Sequence, residues 1–324
     1  MSTQLLFHCQ YGDQQGWGHL VRCSALAQHA REQGLTTHLW SAGDKASLPV
    51  EIQNSFDGLV SRFSPSDYAA LVVDNPEAER HEVMAFWPAG KPIIVIDDTC
   101  TRDLSYADVI INPALNAHTL PYPATVRATC LGADYALLRA PFRQLANDCK
   151  QRKGMVIMMG GTDVLNLVPE ILDCLTDTKH PFQHIPIHLI TPVRKPTRQA
   201  IENYLKQSKR ITWHRNAHAA QIASLFRQSR VGITACGGTT YEMAACKLPF
   251  LGIVVADNQQ SFSSAIQHAW QLPIISGHTV TGAIICANLQ RLLQAPTPDF
   301  RIDGHGVSRA LQTIKKALRN RSAL

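Results

Sequence analysis

A chain of 324 residues that is 45% hydrophobic and 17% charged is too apolar to be disordered and long enough for two domains of roughly 100–200 residues each. Its formal net charge of +6 comes from scattered Lys and Arg, without the basic stripe and aromatics of a nucleic-acid surface, so it suits an anionic small molecule. No apolar run approaches the ~20 residues of a membrane span. Met1–Gln4 leads straight into an expected strand, so no signal peptide is expected, and the nine cysteines form no C-x-x-C pair. They read as buried thiols in a reducing compartment, Cys174 and Cys286 among them. A cytoplasmic protein is expected, with no membrane insertion and a monomer compatible with the composition.

In chain order, strands are expected near 5–9, 37–40, 71–74, 93–97 and 109–112, with helices near 20–32 and 77–86. Proline punctuates the stretch from Asn112 to Arg143, and the polar run Asn147–Lys153 precedes a new apolar strand at 155–159. That run marks a boundary between an N-terminal domain, 1–149, and a C-terminal domain, 150–324. Further strands are expected near 188–191, 231–234 and 250–254, and helices near 167–175, 198–206, 217–227, 240–246, 261–271 and 307–319. Alternation of this kind is the signature of α/β parallel sheets. Open sheets of that class bind ligands beyond the carboxyl ends of their strands, where the polar glycine loops of this chain fall.

The first loop, Gly16-Trp17-Gly18-His19-Leu20-Val21-Arg22-Cys23, opens a helix and aims backbone N–H groups and the positive dipole end at an anion, with a histidine beside it. It matches neither the dinucleotide fingerprint nor a P-loop. The second loop, Gly160-Gly161-Thr162-Asp163, brings close backbone approach, with Asp163 or Asn166 equally able to cap the next helix. The third, Cys236-Gly237-Gly238-Thr239-Thr240, offers a pyrophosphate cradle, and Glu242 follows in the helix it opens, placed for a ribose or simply for the helix dipole. Ala256-Asp257-Asn258-Gln259 closes the set and reads either as a ligand contact or as an N-cap. Asp74 and the pair Asp97-Asp98 end strands that could lie near His19, and side chains of adjacent strand residues diverge. Fourteen histidines include the i, i+4 pairs His184/His188 and His214/His218, but no H-E-x-x-H, and metal binding is not expected.

Taken in order, G-x-G-H-x-x-R-C, the stretch Leu131–Arg139, G-G-T-D, G-G-T-T-x-E, A-D-N-Q and D-G-x-G-x-x-R resemble the UDP-2,4-diacetamido-2,4,6-trideoxy-β-L-altropyranose hydrolases of pseudaminic acid biosynthesis. These are similar to glycosyltransferases of GT-B fold. The resemblance implies a GT-B-like architecture of two Rossmann-like domains facing across a cleft and a metal-independent, cofactor-free site. The final helix would pack back toward the N-terminal domain. By resemblance His19 is the general base, with Asp74 as the second candidate catalytic residue. Gly16, Gly18, Arg22, Gly161, Gly237, Gly238, Thr239, Thr240, Glu242, Asn258 and Gln259 would contact the UDP-sugar.

The implied reaction is hydrolysis at C1 with inversion, a histidine being the side chain that titrates near neutrality. Departures from the family pattern fall at His8–Asp13, at Val164 where the family has proline, and at Asn75. They leave open another UDP-sugar, or an acceptor other than water as in a GT-B glycosyltransferase. A non-catalytic nucleotide-sugar binder is the third possibility.

Overall fold

The computed structural model describes residues 3–12, 16–40, 48–88, 90–144, 151–160, 163–177, 182–191 and 195–322. The chain divides into two compact units, one spanning 1–140 together with 303–324, the other 141–302.

The first unit holds β1 (Gln4–Cys9), α1 (Gly18–Glu32), β2 (Thr36–Trp40), α2 (Val50–Gln53), β3 (Gly58–Val60), β4 (Ala70–Asp74), α3 (Arg80–Phe86), β5 (Ile93–Ile96), β6 (Val109–Asn112) and β7 (Ala128–Leu131). Its seven strands are all parallel, in the order β3-β2-β1-β4-β5-β6-β7. Strands covered on both faces are apolar without alternation, and β1 shows why. Leu5, Phe7 and Cys9 enter a core with Leu20, Cys23 and Leu26 of α1, while Leu6 packs with Leu71, Val83 and Trp87 on the other side. Helix α1 ends in a Schellman motif. Gly34, at φ +82, makes the left-handed turn, Gly34 N donates to Arg31 O (2.9 Å), and Leu35 N donates to Ala30 O (3.0 Å). The chain runs outward through β2 and β3 and then returns to the far side of β1. That reversal sets the carboxyl ends of β1 and β4 side by side, with Cys9 in register with Asp74, the switch point at which such sheets bind ligands.

The second unit runs α4 (Ala140–Arg143), β8 (Met155–Met158), α5 (Val168–Thr176), β9 (Ile187–Ile190), α6 (Lys195–Gln207), β10 (Ile211–His214), α7 (Ala219–Gln228), β11 (Val231–Ala235), α8 (Gly238–Ala245), β12 (Phe250–Val254), α9 (Gln260–Trp270), β13 (Ile274–Ser276) and α10 (Gly282–Gln294). Its parallel order, β10-β9-β8-β11-β12-β13, repeats the reversal, now between β8 and β11. The unit begins at Pro141, ahead of the division expected after Cys149. Phe142 is buried against Phe226 (5.8 Å), and Arg227 donates to the carbonyls of Pro141 and Gln144 (2.5 and 3.1 Å). The polar residues 147–150 lie outside the described residues.

One expectation about side chains is corrected. Cys174 and Cys286, expected as free thiols, are paired as a disulfide, because α5 packs on α10 and both cysteines lie on the buried faces. Of the histidines, His188 Nδ1 lies 3.2 Å from His214 Nε2 across β9 and β10, and His218 caps α7 by accepting from Gln221 N (3.3 Å).

The last helix, α11 (Gly306–Ser322), belongs to the first unit. Val307, Ala310, Leu311 and Ile314 complete the core around Leu20 and Leu26. The D-G-x-G-x-x-R motif fixes its start. Asp303 accepts from His305 N and Arg309 Nη1 (2.9 Å each), and Arg309 also reaches the Asp134 carbonyl (3.0 Å). The Arg309 hydrogen bonds hold the Asp303 carboxyl down to about 2. Gly306 is pressed so closely on Ala136 that a Cβ there would fall on the backbone N and O of Ala136. Overpacking against backbone costs about 1–3 kcal/mol. Gly306→Ala is therefore expected to lower the free energy of unfolding by that amount, read as a lower urea midpoint at unchanged slope, and an unchanged midpoint would contradict this account of the docking.

Candidate functional site

The site in the first unit is built at the switch point between β1 and β4. After β1 the backbone doubles back through a bridge, Gly12 N to Gly16 O (3.2 Å) and Gly16 N to Gly12 O (2.8 Å). Gly16, at φ +80, takes a conformation open to glycine. Two residues later α1 starts, with His19 in its first turn. His19 and Arg22 are three apart and so share one helical face, which looks onto the end of β4. There Asp74, 1% exposed, receives both. His19 Nδ1 lies 2.8 Å from Asp74 Oδ1. Arg22 Nε donates to Asp74 Oδ2 (2.6 Å) and Nη2 to Oδ1 (2.6 Å), and the Cys23 thiol donates to Oδ2 (3.6 Å).

Arg22 Nη2 and His19 Nδ1, 3.0 Å apart, both converge on the acceptor oxygen Oδ1. Nδ1 therefore carries the proton, and Nε2 is left as a base. Burial pushes the Asp74 carboxyl up, but Arg22 and His19 outweigh it and hold the group below the usual carboxylate range. Burial also lowers the Arg22 guanidinium, and Asp74 with Asp98 raises it well above its ordinary value. The buried Cys23 thiol is pushed well up and stays neutral.

Arg22, expected among the ligand-binding residues, is held between two carboxylates. Beyond Asp74 it donates to both oxygens of Asp98 (2.7 and 2.9 Å). Asp97 and Asp98 diverge as adjacent strand-end residues should. Asp97 turns inward and accepts from Thr99 N (3.1 Å), Cys100 N (2.7 Å) and the Tyr122 hydroxyl (2.8 Å). The loop so formed presents Asp98 to Arg22. Asp98 is the member of the cluster whose role the sequence left unassigned. The i, i+3 spacing of His19 and Arg22 signals a shared carboxylate, but only the topology brings in a second one.

In the second unit, Gly237 precedes α8, and Gly238 and Thr239 open it at the end of β11. A Cβ at Gly18, Gly237 or Gly238 would meet nothing within 4 Å, and none of the three has a positive φ. Neither sterics nor backbone conformation requires glycine there, whereas a ligand approaching the backbone closely does. Thr240 is fully buried and donates to Gly237 O (2.6 Å), bracing the loop from within. Glu242 is buried behind it. Asp163 accepts from Leu167 N (2.9 Å) and Val168 N (3.1 Å), which makes it the cap of α5. Gly161 lies outside the described residues. On the neighbouring strand end Asn258 is exposed, while the Gln259 carboxamide folds back to accept from Val255 N (3.0 Å).

No family model matches the chain. It is 25% identical over 270 residues to the UDP-2,4-diacetamido-2,4,6-trideoxy-beta-L-altropyranose hydrolase of Campylobacter jejuni, covering 80% of this chain and 94% of that one. It is 21% identical over 281 residues to the spore coat polysaccharide biosynthesis protein SpsG of Bacillus subtilis, covering 76% of each. Among solved structures it is similar to MurG of Acinetobacter baumannii, with a TM-score of 0.61 at 11% identity over 98% of this chain and all of that one. Its two parallel sheets are thus of the GT-B type, and the chain is similar, at a distance, to the UDP-2,4-diacetamido-2,4,6-trideoxy-beta-L-altropyranose hydrolase.

Proposed function

We propose that this protein hydrolyses a UDP-linked 2,4-diacetamido-2,4,6-trideoxy sugar at C1 with inversion, releasing UDP and the free sugar. The observation that carries the proposal is the His19–Asp74 pair at the first switch point, with no hydrogen bond to Nε2 among the described residues. In this reading Nε2 takes a proton from water as the water oxygen bonds to C1, and the C1–O bond to UDP breaks with its electron pair going to the diphosphate. Asp74 holds the ring and offsets the charge of the imidazolium, as a buried carboxylate does in other Asp–His pairs. The proton then passes to solvent. The N–H groups at Gly237–Thr239 and the start of α8 take up the charge of the leaving UDP. Asn258, after β12, and Glu242, buried behind the loop that opens α8, supply polar contacts to sugar and ribose in this reading.

The test is incubation with UDP-2,4-diacetamido-2,4,6-trideoxy-β-L-altrose and no acceptor. Stoichiometric UDP and free sugar are expected. UDP binding without release would reject hydrolysis of this substrate and direct attention to a transferase that needs an acceptor.

A further inference from the structure

Asp98 meets the cluster through Arg22 alone among the described residues. Its side chain is 44% exposed, and its recorded side-chain partner is Arg22, held through two hydrogen bonds of 2.7 and 2.9 Å. Yet Arg22 is already satisfied on its inner side by Asp74. One guanidinium between two carboxylates carries one net negative charge when the imidazole is the unprotonated base that the proposed reaction requires. A proton arriving at His19 brings it to neutrality. Without Asp98 the same proton would leave a net positive charge beside the buried end of β4, where charge is poorly solvated.

We infer that Asp98 is a positioning residue for the reaction. It acts through Arg22 to balance charge, so that the His19–Asp74 pair can accept a proton, and it fixes the fork of Arg22 against Asp74. The inference rests on His19 serving as the base. The titratable and charged groups around the cluster, among the described residues, are His19, Arg22 and Cys23 of α1, Cys9 of β1, Asp74 of β4, and Asp97 and Asp98 after β5. Asp97 is turned onto Tyr122 and the Thr99 and Cys100 amides, and the buried thiol of Cys23 is neutral, so Asp98 is the charge whose removal changes the balance.

The experiment compares the full-length protein with Asp98→Asn and Asp98→Glu. It reads the pH dependence of kcat and, independently of turnover, the NMR titration of the His19 ring, assigned by its absence in His19→Gln. For Asp98→Asn, the acid limb of the kcat profile and the His19 midpoint should both move down by about 0.5–1 pH unit, the size expected for loss of one nearby, partly solvated charge. kcat should fall about three- to tenfold, KM should change less than twofold, and Asp98→Glu should restore both. A fall in kcat with no displacement of either midpoint would make Asp98 a mere anchor and overturn the inference. If the wild type hydrolyses no UDP-sugar, the ring titration still decides. A lowered midpoint then upholds the charge balance while the hydrolase reading fails, and an unmoved one rejects both.

Discussion

Replacing His19 by Gln is expected to lower kcat by about 10²- to 10⁴-fold, the range for loss of a positioned general base, while UDP affinity stays within about twofold. The two halves of this expectation come from different parts of the molecule. The base sits on α1 of the first unit, at hydrogen-bond distance from Asp74. The loop offered to the diphosphate opens α8 of the second. Gln keeps a polar side chain against Asp74 but has no lone pair of suitable basicity for water. A fall confined to kcat marks an interaction made in the transition state, whereas a rise in KM alone would mean that His19 only binds substrate. Single-turnover hydrolysis with titration calorimetry of UDP separates these outcomes.

Arg22→Met is expected to destabilise the first unit by about 3–5 kcal/mol at neutral pH, because it leaves the Asp74 carboxylate buried without its cation. Asp74 is 1% exposed, and Arg22 makes two hydrogen bonds to it. The pH dependence has a defined sign. In the wild type the Asp74 carboxyl is held low, so its contribution is present above the unfolded-state value of about 3.9 and is lost as pH falls toward the lower folded value. In the variant burial dominates and the folded-state value rises. The carboxyl then favours the folded state only while protonated, and its stabilisation is lost as pH rises through that value. The gap between the two proteins therefore narrows as pH drops from 6 toward 3. Urea unfolding at several pH values measures it, and a pH-independent gap would show that Arg22 contributes through packing of its stem instead.

The strands legible in the sequence were mainly those buried on both faces, with β2 and β9 read as well. β1, β4, β5, β6, β8, β11 and β12 are runs of four to six largely apolar residues. The edge strands escaped for the converse reason. β3 and β13 are three residues each and only half-buried, and β10 (Ile-Thr-Trp-His) has a single buried position. Helix α10 carried a signal that went unread, since Ile285, Cys286, Leu289 and Leu292 fall on one face and Thr281 caps its start. Helix α3 begins at Arg80, three residues later than expected, where the reciprocal capping of Glu79 and Glu82 sets its start.

At the site, His19 and Arg22 could be paired from spacing alone and Asp74 recognised as a strand end. The convergence of the three depends on the reversal of strand order at β1 and β4, which no local pattern encodes. The carboxylate pair on one arginine depends further on the tight loop that Asp97 builds after β5. The disulfide was invisible for a related reason, because Cys174 and Cys286 are 112 residues apart in sequence.

The most direct test of the central claim is a single turnover of UDP-2,4-diacetamido-2,4,6-trideoxy-β-L-altrose in ¹⁸O-labelled water, followed by NMR of the anomeric proton and mass analysis of both products. Attack by His19-activated water on C1 predicts label in the free sugar, inverted anomeric configuration at first appearance, and unlabelled UDP. Label in the released UDP, or retained configuration, would place the chemistry at phosphorus or through a covalent intermediate and contradict the role assigned to His19.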